Sequence, residues 1–300
     1  MIRTLESHHE WQKYRRKICG RFLLFMKGGS FLIPHKIKKE GNNMKQEKEK
    51  EYYEEIKDWD FSKFEIETES LTNWDLYEIL KKIANKDSRI LDLGTGGGEK
   101  VIEFYPNCKE ILATDFSEGM IETAKKNLEK SGRKNISFRL MNNLEMDVPN
   151  NYFDIVVARN TVTDPKQIYK CLKTGGHLLI HGVDKADCWN LKVLFGKGQG
   201  FKDVNPISLI DYENVLKAGF KDAELVPLHE REYFKNELLF KAFLRKVPII
   251  DDFSEEEFNN QKHHYNESID EEKLDQYISE NNYGGKVRLL RRYYGITARK

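Results

Sequence analysis

The chain has 300 residues, of which 39% are hydrophobic and 12% aromatic, and its 50 basic residues balance 49 acidic ones. This composition suits one packed domain with additions or two small domains, and the balanced charge excludes the overall basic bias that marks many nucleic-acid-binding proteins. The four cysteines are scattered without a Cys-x-x-Cys pair, so neither a zinc site nor a disulfide framework is indicated. The cytosol is the simplest compartment for such a chain, and no metal is expected.

The first 46 residues read as a basic extension and linker. The apolar stretch at residues 18–26 is too short to span a bilayer, and no small-residue cleavage site follows it. Residues 36–50 are rich in charge, which suits a solvated helix or a disordered linker. We predict that residues 1–46 are poorly ordered; a membrane-surface or targeting role is the alternative.

Helices and strands alternate along the chain from residue 47 onward. A first helix is expected at 47–59, residues 61–70 are expected to be irregular, and apolar side chains recur at helical spacing over 74–84. We predict strands near 89–93, 110–115, 136–141, 153–158, 176–182 and 223–229, and helices near 98–105, 117–131, 164–172, 187–195 and 208–218. Alternation of this kind, with apolar strands, predicts a parallel sheet that is covered by helices on both faces.

The segment Ile90–Gly98 is the most informative part of the chain. A short apolar strand runs into a glycine-rich turn, and the carboxylate of Asp92 lies near the end of the strand. The alternate glycines of the turn allow positive φ angles and let a ligand approach the backbone. A dinucleotide fingerprint would need its third glycine where Glu99 stands. The turn therefore fits a nucleoside ligand without a pyrophosphate.

A second acidic residue stands at the end of the next predicted strand. Asp115 follows the turn by roughly twenty residues, the spacing expected of a carboxylate that accepts hydrogen bonds from ribose hydroxyls. Such charge-assisted hydrogen bonds contribute roughly 1.5–3 kcal/mol each when they are desolvated. Asp92 is placed to meet the cationic amino end of a nucleoside that carries an amino acid. Together, the two acids and the turn fit S-adenosylmethionine.

Several blocks of the sequence resemble, in the same order, the motifs of class I S-adenosylmethionine-dependent methyltransferases of the small-molecule type. They cover about residues 74–228 and comprise Ile90–Gly98, Ala113–Met120, Asn142-Asn143, Tyr152–Ala158 and Cys171–Ile180. The chain departs from the family at Asn142, where members often have an aspartate that contacts the adenine amino group, and at Thr174, where they usually have proline. An amide also carries an acceptor oxygen, so the adenine contact is kept as an expectation.

The resemblance implies an α/β fold with a Rossmann-like, doubly wound, seven-stranded sheet that is mostly parallel and has an antiparallel last strand. The expected methyltransferase core covers 47–234 and the final core strand covers 288–300. Residues 235–287 are too long for an ordinary loop and are expected to form a helical lid over the substrate side. The expected cofactor is S-adenosyl-L-methionine, and the residues expected to bind it are Asp92, Gly94, Thr95, Gly96, Gly98, Asp115, Phe116, Met120, Asn142, Asn143 and Arg159.

Polar residues at the strand ends are the candidates for catalysis, because ligands of open parallel sheets bind beyond the carboxyl ends of the strands. His181 directly follows an apolar strand and suits a general base, with a hydrogen-bonded structural role as the alternative. Asp184 is a second candidate for the base, or it caps the helix that follows. Arg159 would anchor a carboxylate or phosphate of the substrate, or it lies beside the cofactor through its backbone atoms alone. It is grouped with Asn160 and Tyr233 as a candidate substrate contact, and packing is the alternative for Tyr233.

Three functions remain open from the sequence. The first is methyl transfer by in-line displacement to an O, N or C atom of a small molecule, where proximity and desolvation carry most of the rate. The second is RNA or DNA methylation. The Asn/Asp-Pro-Pro-Tyr/Phe motif and a Pro-Cys nucleophile are both missing, but the mixed cations and aromatics at 288–300 suit either RNA or an ordinary final strand. The third is a protein that binds S-adenosylmethionine without transferring its methyl group.

Overall fold

The structure is a computed structural model, and it describes residues 64–250 and 269–300. The predicted extension at 1–46 and the predicted helix at 47–59 lie outside the described residues. The strands are β1 (Ile66–Ser70), β2 (Arg89–Leu93), β3 (Glu110–Asp115), β4 (Ile136–Leu140), β5 (Phe153–Arg159), β6 (Leu172–Val183), β7 (Lys221–Phe234), β8 (Asn282–Tyr283) and β9 (Lys286–Arg299). The helices are α1 (Leu76–Ile83), α2 (Glu99–Phe104), α3 (Glu118–Ser131), α4 (Pro165–Cys171), α5 (Trp189–Phe195), α6 (Ile207–Lys217), α7 (Glu237–Lys246) and α8 (Glu271–Glu280).

Seven strands form the central sheet in the order β4-β3-β2-β5-β6-β9-β7. The pairs β3–β4, β2–β3, β2–β5 and β5–β6 are parallel. The strand β9 lies antiparallel between β6 and β7. The predicted fold, a mostly parallel sheet with an antiparallel last strand, is therefore confirmed. The last strand begins at Lys286 rather than at 288.

Two further strands extend this sheet. β8 forms a short hairpin with β9, and β1 pairs antiparallel with β7 at the edge. The prediction that residues 61–70 are irregular is thus wrong for β1. Among its five residues only Ile66 is partly buried, and the other four are exposed. A strand with so little apolar pattern carries no alternation from which it could be predicted.

Helices cover both faces of the sheet because the strand side chains alternate between two hydrophobic clusters. On one face, Leu91 and Leu93 pack with residues of α4 and α6. On the other face, Ile90 packs with residues of α1, α2 and α3. Asp92 lies between Leu91 and Leu93 and therefore points to the α1 face, and the same alternation governs β5 and β6.

The predicted insertion at 235–287 contains α7, α8 and β8. Its helices pack on a third cluster that includes Phe234 at the end of β7 and Val287 and Leu289 at the start of β9. β6 ends opposite Tyr293, whereas β9 continues with β7 as far as Val287. The described helices of the insertion therefore pack on the antiparallel β7–β9 pair, which extends past the carboxyl end of β6, the edge where ligands of such sheets bind. Among the described helices, none is long and apolar enough to cross a membrane.

Candidate active site at the carboxyl edge of the sheet

The glycine turn between β2 and α2 adopts the conformation that its sequence predicts. The φ angles of Gly94, Gly96 and Gly98 are 72°, 60° and 77°. A Cβ atom on Gly94 would lie 2.5 Å from the Cβ of Thr161. One on Gly98 would lie 2.5 Å from Cζ of Phe138. Glycine is thus required at these two positions by both the backbone conformation and the close packing.

Most N–H groups of the turn already donate hydrogen bonds to acceptors within the chain. Those of Gly94 and Thr95 both donate to the carbonyl oxygen of Thr114 at 2.9 Å. The N–H of Gly96 donates to Oδ2 of Asp115 at 2.9 Å. Donors that are paired in this way do not cradle a pyrophosphate, which agrees with the prediction of a nucleoside ligand. A ligand at the turn would therefore be recognised by side chains and by the shape of the turn rather than by these amides.

Asp115 ends β3 with its carboxylate held against the turn. It accepts hydrogen bonds from the N–H of Gly96 and, at 3.0 Å, from the N–H of Ser117. Burial raises the pKa of Asp115, and these hydrogen bonds oppose the rise. Ser117 then begins α3 by accepting a hydrogen bond from the N–H of Met120 at 3.3 Å. The carboxylate is therefore fixed at the junction of β3, the turn and α3.

Asp92 is buried, with 3% of its surface exposed, and its Oδ1 accepts a hydrogen bond from the hydroxyl of Tyr105. Burial raises the pKa of Asp92 to about 6, opposed by the hydrogen bonds and by the positive charge of Arg159. A rise of about two pKa units corresponds to roughly 3 kcal/mol by which the site disfavours the ionised form. A cationic ligand group beside Asp92 would offset this cost.

Arg159 and His181 lie side by side at the ends of β5 and β6. The two residues are register partners in the parallel pair, so their side chains point to the same face of the sheet as Asp92. The charge of Arg159 influences the pKa of Asp92 and of His181. The side chain of Arg159 is half-buried and makes no hydrogen bond or ion pair with any residue in the described ranges. Its guanidinium is thus available to an anionic group of a ligand.

His181 is held by a hydrogen bond and by aromatic packing. Its Nδ1 lies 3.0 Å from Oδ1 of Asn160. Its ring centre is 5.0 Å from that of Tyr293 and 6.3 Å from that of Trp74. Burial, with a contribution from the charge of Arg159, lowers the pKa of His181 to about 4. The imidazole is therefore neutral at pH 7 and able to accept a hydrogen bond.

Aromatic residues surround this group, and sequence patterns did not single them out as site residues. Trp74 and Tyr77 were predicted only as part of the apolar face of a helix. Tyr77 stacks on Phe104 at 4.9 Å and lies 6.2 Å from Tyr105. Tyr293 was predicted only as part of the final strand. The alternation of that strand opposite His181 is the signal that could have placed its ring at the site.

The two asparagines after β4 have different environments. Asn142 is exposed, and its Oδ1 accepts a hydrogen bond from the N–H of Leu144 at 2.9 Å. Asn143 is buried, and its Nδ2 donates to Oγ1 of Thr161 at 2.9 Å. Within residues 64–250 and 269–300, no donor is within hydrogen-bond distance of Oδ1 of Asn143. Since buried acceptors are rarely left unpaired, this oxygen is better suited than Asn142 to meet a ligand.

Four other residues that the sequence placed in the site lie at the turn, near Asp115 or after β6. Thr95 and Met120 are buried, at the turn and at the start of α3, and Phe116 directly follows Asp115. Asp184 accepts a hydrogen bond from the N–H of Ala186 at 3.0 Å, within the turn before α5. The N-cap of α5 is Cys188, so the alternative that Asp184 caps this helix is wrong. Among the residues that the structure describes, no hydrogen bond of the Asp184 side chain supports a role as the base.

The structure does not bring Tyr233 to this group. The Tyr233 hydroxyl lies 3.5 Å from Oε2 of Glu69 on β1. In β7, Tyr233 alternates with the buried Glu232 and Phe234, so it faces the opposite side of the sheet from them. A substrate contact from Tyr233 is thus not supported by its position.

Comparison with known proteins relates the central part of the chain to methyltransferases. The family described as "Methyltransferase domain" matches residues 84–208, which contain the glycine turn, Asp115, Arg159 and His181. A solved structure of a proposed methyltransferase from Bacillus halodurans has the same fold, with a TM-score of 0.51 and 19% identity over 75% of this chain and 98% of that chain. Residues 84–208 of the chain thus match a methyltransferase domain, on a fold similar to that of the solved structure.

Curated relatives match the same methyltransferase domain over shorter stretches. Ribosomal protein L11 methyltransferase of Listeria innocua is 35% identical over 105 residues, which are 32% of this chain and 33% of that protein. Demethylmenaquinone methyltransferase of Bacteroides fragilis is 30% identical over 122 residues, which are 37% of this chain and 49% of that protein. The chain thus spans a third and about half of the length of these two relatives.

Proposed function

We propose that the protein transfers a methyl group from S-adenosylmethionine to a small-molecule acceptor. The observation that carries the proposal is the placement of two buried carboxylates, Asp92 and Asp115, beside one glycine turn, with Arg159 and His181 at the adjoining strand ends. This arrangement offers separate contacts for an ammonium group, a ribose and an acceptor. The family match to the methyltransferase domain over 84–208 supports the same activity.

The residues at the turn fit the proposed cofactor. Asp115 has oxygen lone pairs beyond those used by its two backbone donors and would accept from the ribose hydroxyls. Asp92 would face the ammonium group, which would favour its ionised form. The unpaired Oδ1 of Asn143 would accept a hydrogen bond from the adenine amino group. The spare lone pairs of Asp115, the buried carboxyl group of Asp92 and the unpaired Oδ1 of Asn143 together support a cationic nucleoside as the ligand.

Methyl transfer then mainly requires that the acceptor is held in position. S-adenosylmethionine, when bound, supplies a methyl carbon that its sulfonium already activates. The aromatic residues Trp74, Tyr77 and Tyr293 would exclude water from the strand ends and hold the acceptor in line. Arg159 would anchor an anionic group of the acceptor or of the cofactor. His181, which is neutral at pH 7, would accept the proton that a hydroxyl acceptor loses.

The insertion at 235–287 favours a small acceptor over a macromolecule. Its helices α7 and α8 pack on the antiparallel β7–β9 pair, which extends beside the site. We infer that the insertion is a lid, which would narrow the entrance to the strand ends. The named activity of the Listeria innocua relative, methylation of a ribosomal protein, keeps a protein acceptor as the second candidate.

A transfer experiment separates these acceptors. The full chain would be incubated with S-adenosylmethionine labelled in its methyl group and, separately, with a metabolite extract, a protein fraction and total nucleic acid. We expect label in the metabolite fraction. Label in protein would support the second candidate, and label in nucleic acid would support the RNA or DNA alternative. No label in any fraction, with the cofactor bound, would favour a protein that binds without transferring.

A further inference from the structure

We propose that Asn160 is a positioning residue that keeps the proton of the His181 ring on Nδ1, so that the lone pair of Nε2 faces the methyl acceptor. The inference rests on the proposed function, because it assigns His181 a role in methyl transfer. From the sequence, Asn160 was expected to contact the substrate. In the structure, Asn160 forms hydrogen bonds with His181.

Asn160 is joined to His181 by both its backbone and its side chain. Its N–H donates to the carbonyl oxygen of His181 at 2.7 Å, which continues the β5–β6 pairing past Arg159. Its Oδ1 lies 3.0 Å from Nδ1 of the ring. The φ angle of Asn160 is 52°, in the left-handed region where asparagine is among the more tolerated residues. Backbone strain of this kind is often kept at functional sites.

The chemistry of the amide sets the position of the ring proton. An amide oxygen only accepts hydrogen bonds, so the ring nitrogen that faces it must donate. Burial and Arg159 lower the pKa of His181 to about 4, so at pH 7 the ring has a single N–H. That proton is on Nδ1, and Nε2 is left with a lone pair.

The charged and titratable groups around the ring keep it neutral at pH 7. The charged residues that influence His181 are Arg159 on β5, Arg291 on β9 and Asp75 at the start of α1. Two of the three are positive, which favours the neutral ring. Tyr293 packs on it, and burial holds the pKa of the Tyr293 hydroxyl well above its usual range, so this neighbour is neutral too.

A free lone pair on Nε2 suits an acceptor that loses a proton as it is methylated. For a hydroxyl, the carbon–sulfur bond of the sulfonium breaks as the carbon–oxygen bond forms, and the hydroxyl proton moves to Nε2. The products are a methyl ether, a neutral thioether and an imidazolium whose Nδ1–H still donates to Asn160. The amide of Asn160 would therefore accept a hydrogen bond from Nδ1 in both the neutral and the charged form of the ring.

The test is a long-range proton–nitrogen correlation spectrum of the full chain at pH 7, with His181→Gln used to assign the His181 signals. We expect a protonated Nδ1 and an unprotonated Nε2 in the wild type. Asn160→Gly tolerates the same φ angle but lacks the amide, and we expect its ring proton to move to Nε2, the tautomer that a free histidine side chain prefers. Asn160→Asp restores an acceptor and should restore the Nδ1 proton, with a higher pKa for His181.

Two results would overturn the proposal: a proton on Nε2 in the wild type, or a proton that stays on Nδ1 in Asn160→Gly. Calorimetry with S-adenosylhomocysteine keeps this outcome separate from the proposed function. We expect Asn160→Gly to bind it as the wild type does. A wild type that does not bind it would contradict the proposed function, whereas the tautomer of His181 would still be decided by the spectrum.

Discussion

The indole of Trp74 lies against the backbone of Gly295. A Cβ atom on Gly295 would be 2.5 Å from Cε2 of the indole. Gly295 is the register partner of His181 between β6 and β9, so the space left by its missing side chain lies beside the candidate base. Gly295 does not have a positive φ angle, and its role is therefore to provide space for Trp74 rather than an unusual backbone conformation.

Substituting Gly295→Ala is expected to displace Trp74 and to lower the free energy of unfolding by about 1–3 kcal/mol, as overpacking of buried sites usually does. Urea unfolding followed by circular dichroism measures the change. The matched control is the same substitution in a Trp74→Ala background, where the colliding ring is absent and the cost should largely disappear. An equal cost in both backgrounds would show that the close packing on Trp74 is not what requires glycine.

Asp92→Asn is expected to stabilise the protein at pH 7. The pKa of Asp92 is raised to about 6, above its ordinary value of 3.8. The folded state therefore binds more protons than the unfolded state between about pH 4 and 6, and stability is lost as the pH rises through this window. The asparagine removes that loss, which is roughly 3 kcal/mol or less. Denaturant unfolding of both proteins at pH 4 and 7 measures it, and a difference that does not grow with pH would contradict the account.

The same carboxylate should make cofactor binding depend on pH. An ammonium group binds the ionised form of Asp92, so affinity for S-adenosylhomocysteine should rise as the pH increases toward about 6 and level off above it. Isothermal titration calorimetry across this range provides the measurement. Asp92→Asn should bind more weakly and lose the pH dependence, and a retained dependence would place the titrating group elsewhere.

His181→Gln is expected to lower turnover more than it lowers cofactor affinity. A positioned general base contributes roughly a hundredfold or more in rate, and glutamine keeps polarity without a titratable nitrogen. The assay uses the fraction that becomes labelled in the transfer experiment, with calorimetry on the same sample. The matched variant is His177→Gln, since His177 lies on the same strand at the opposite edge of the sheet. Normal turnover in His181→Gln would remove His181 from the role of base.

Most of the fold and half of the site could be predicted from the sequence, because they depend on local patterns. The apolar runs at Arg89–Leu93 and Glu110–Asp115 specify buried strands, and the structure has them at the predicted bounds. The glycines of the turn are specified by backbone conformation, which a sequence records directly. The positions of Asp92 and Asp115 follow from the same local patterns, because each residue stands at or near the end of one of these strands.

The rest depends on contacts between distant residues. Tyr105 meets Asp92, and Gly295 makes room for Trp74, only after the sheet has formed. The side chain of Arg291 is likewise buried between Asp187 and Glu232, at 3.0 and 3.1 Å, and no spacing in the sequence relates these three residues. β1 was missed because its exposed, charged residues follow no alternation of apolar and polar positions.

The most direct test of the central claim is calorimetric binding of S-adenosylhomocysteine to the wild type and to Asp115→Ala. The claim is that the glycine turn and Asp115 hold the cofactor. We expect clear binding by the wild type and a loss of about ten- to a hundredfold in the variant, since charge-assisted hydrogen bonds contribute roughly 1.5–3 kcal/mol.

The control for that measurement is Asp270→Ala. Asp270 also accepts a backbone hydrogen bond at a helix start, from the N–H of Lys273 at 3.2 Å, but the helix that it caps is α8. Circular dichroism of both variants confirms that each is folded. We expect wild-type affinity for Asp270→Ala and weak binding for Asp115→Ala. Unchanged affinity in Asp115→Ala, or a wild type that binds no S-adenosylhomocysteine, would contradict it.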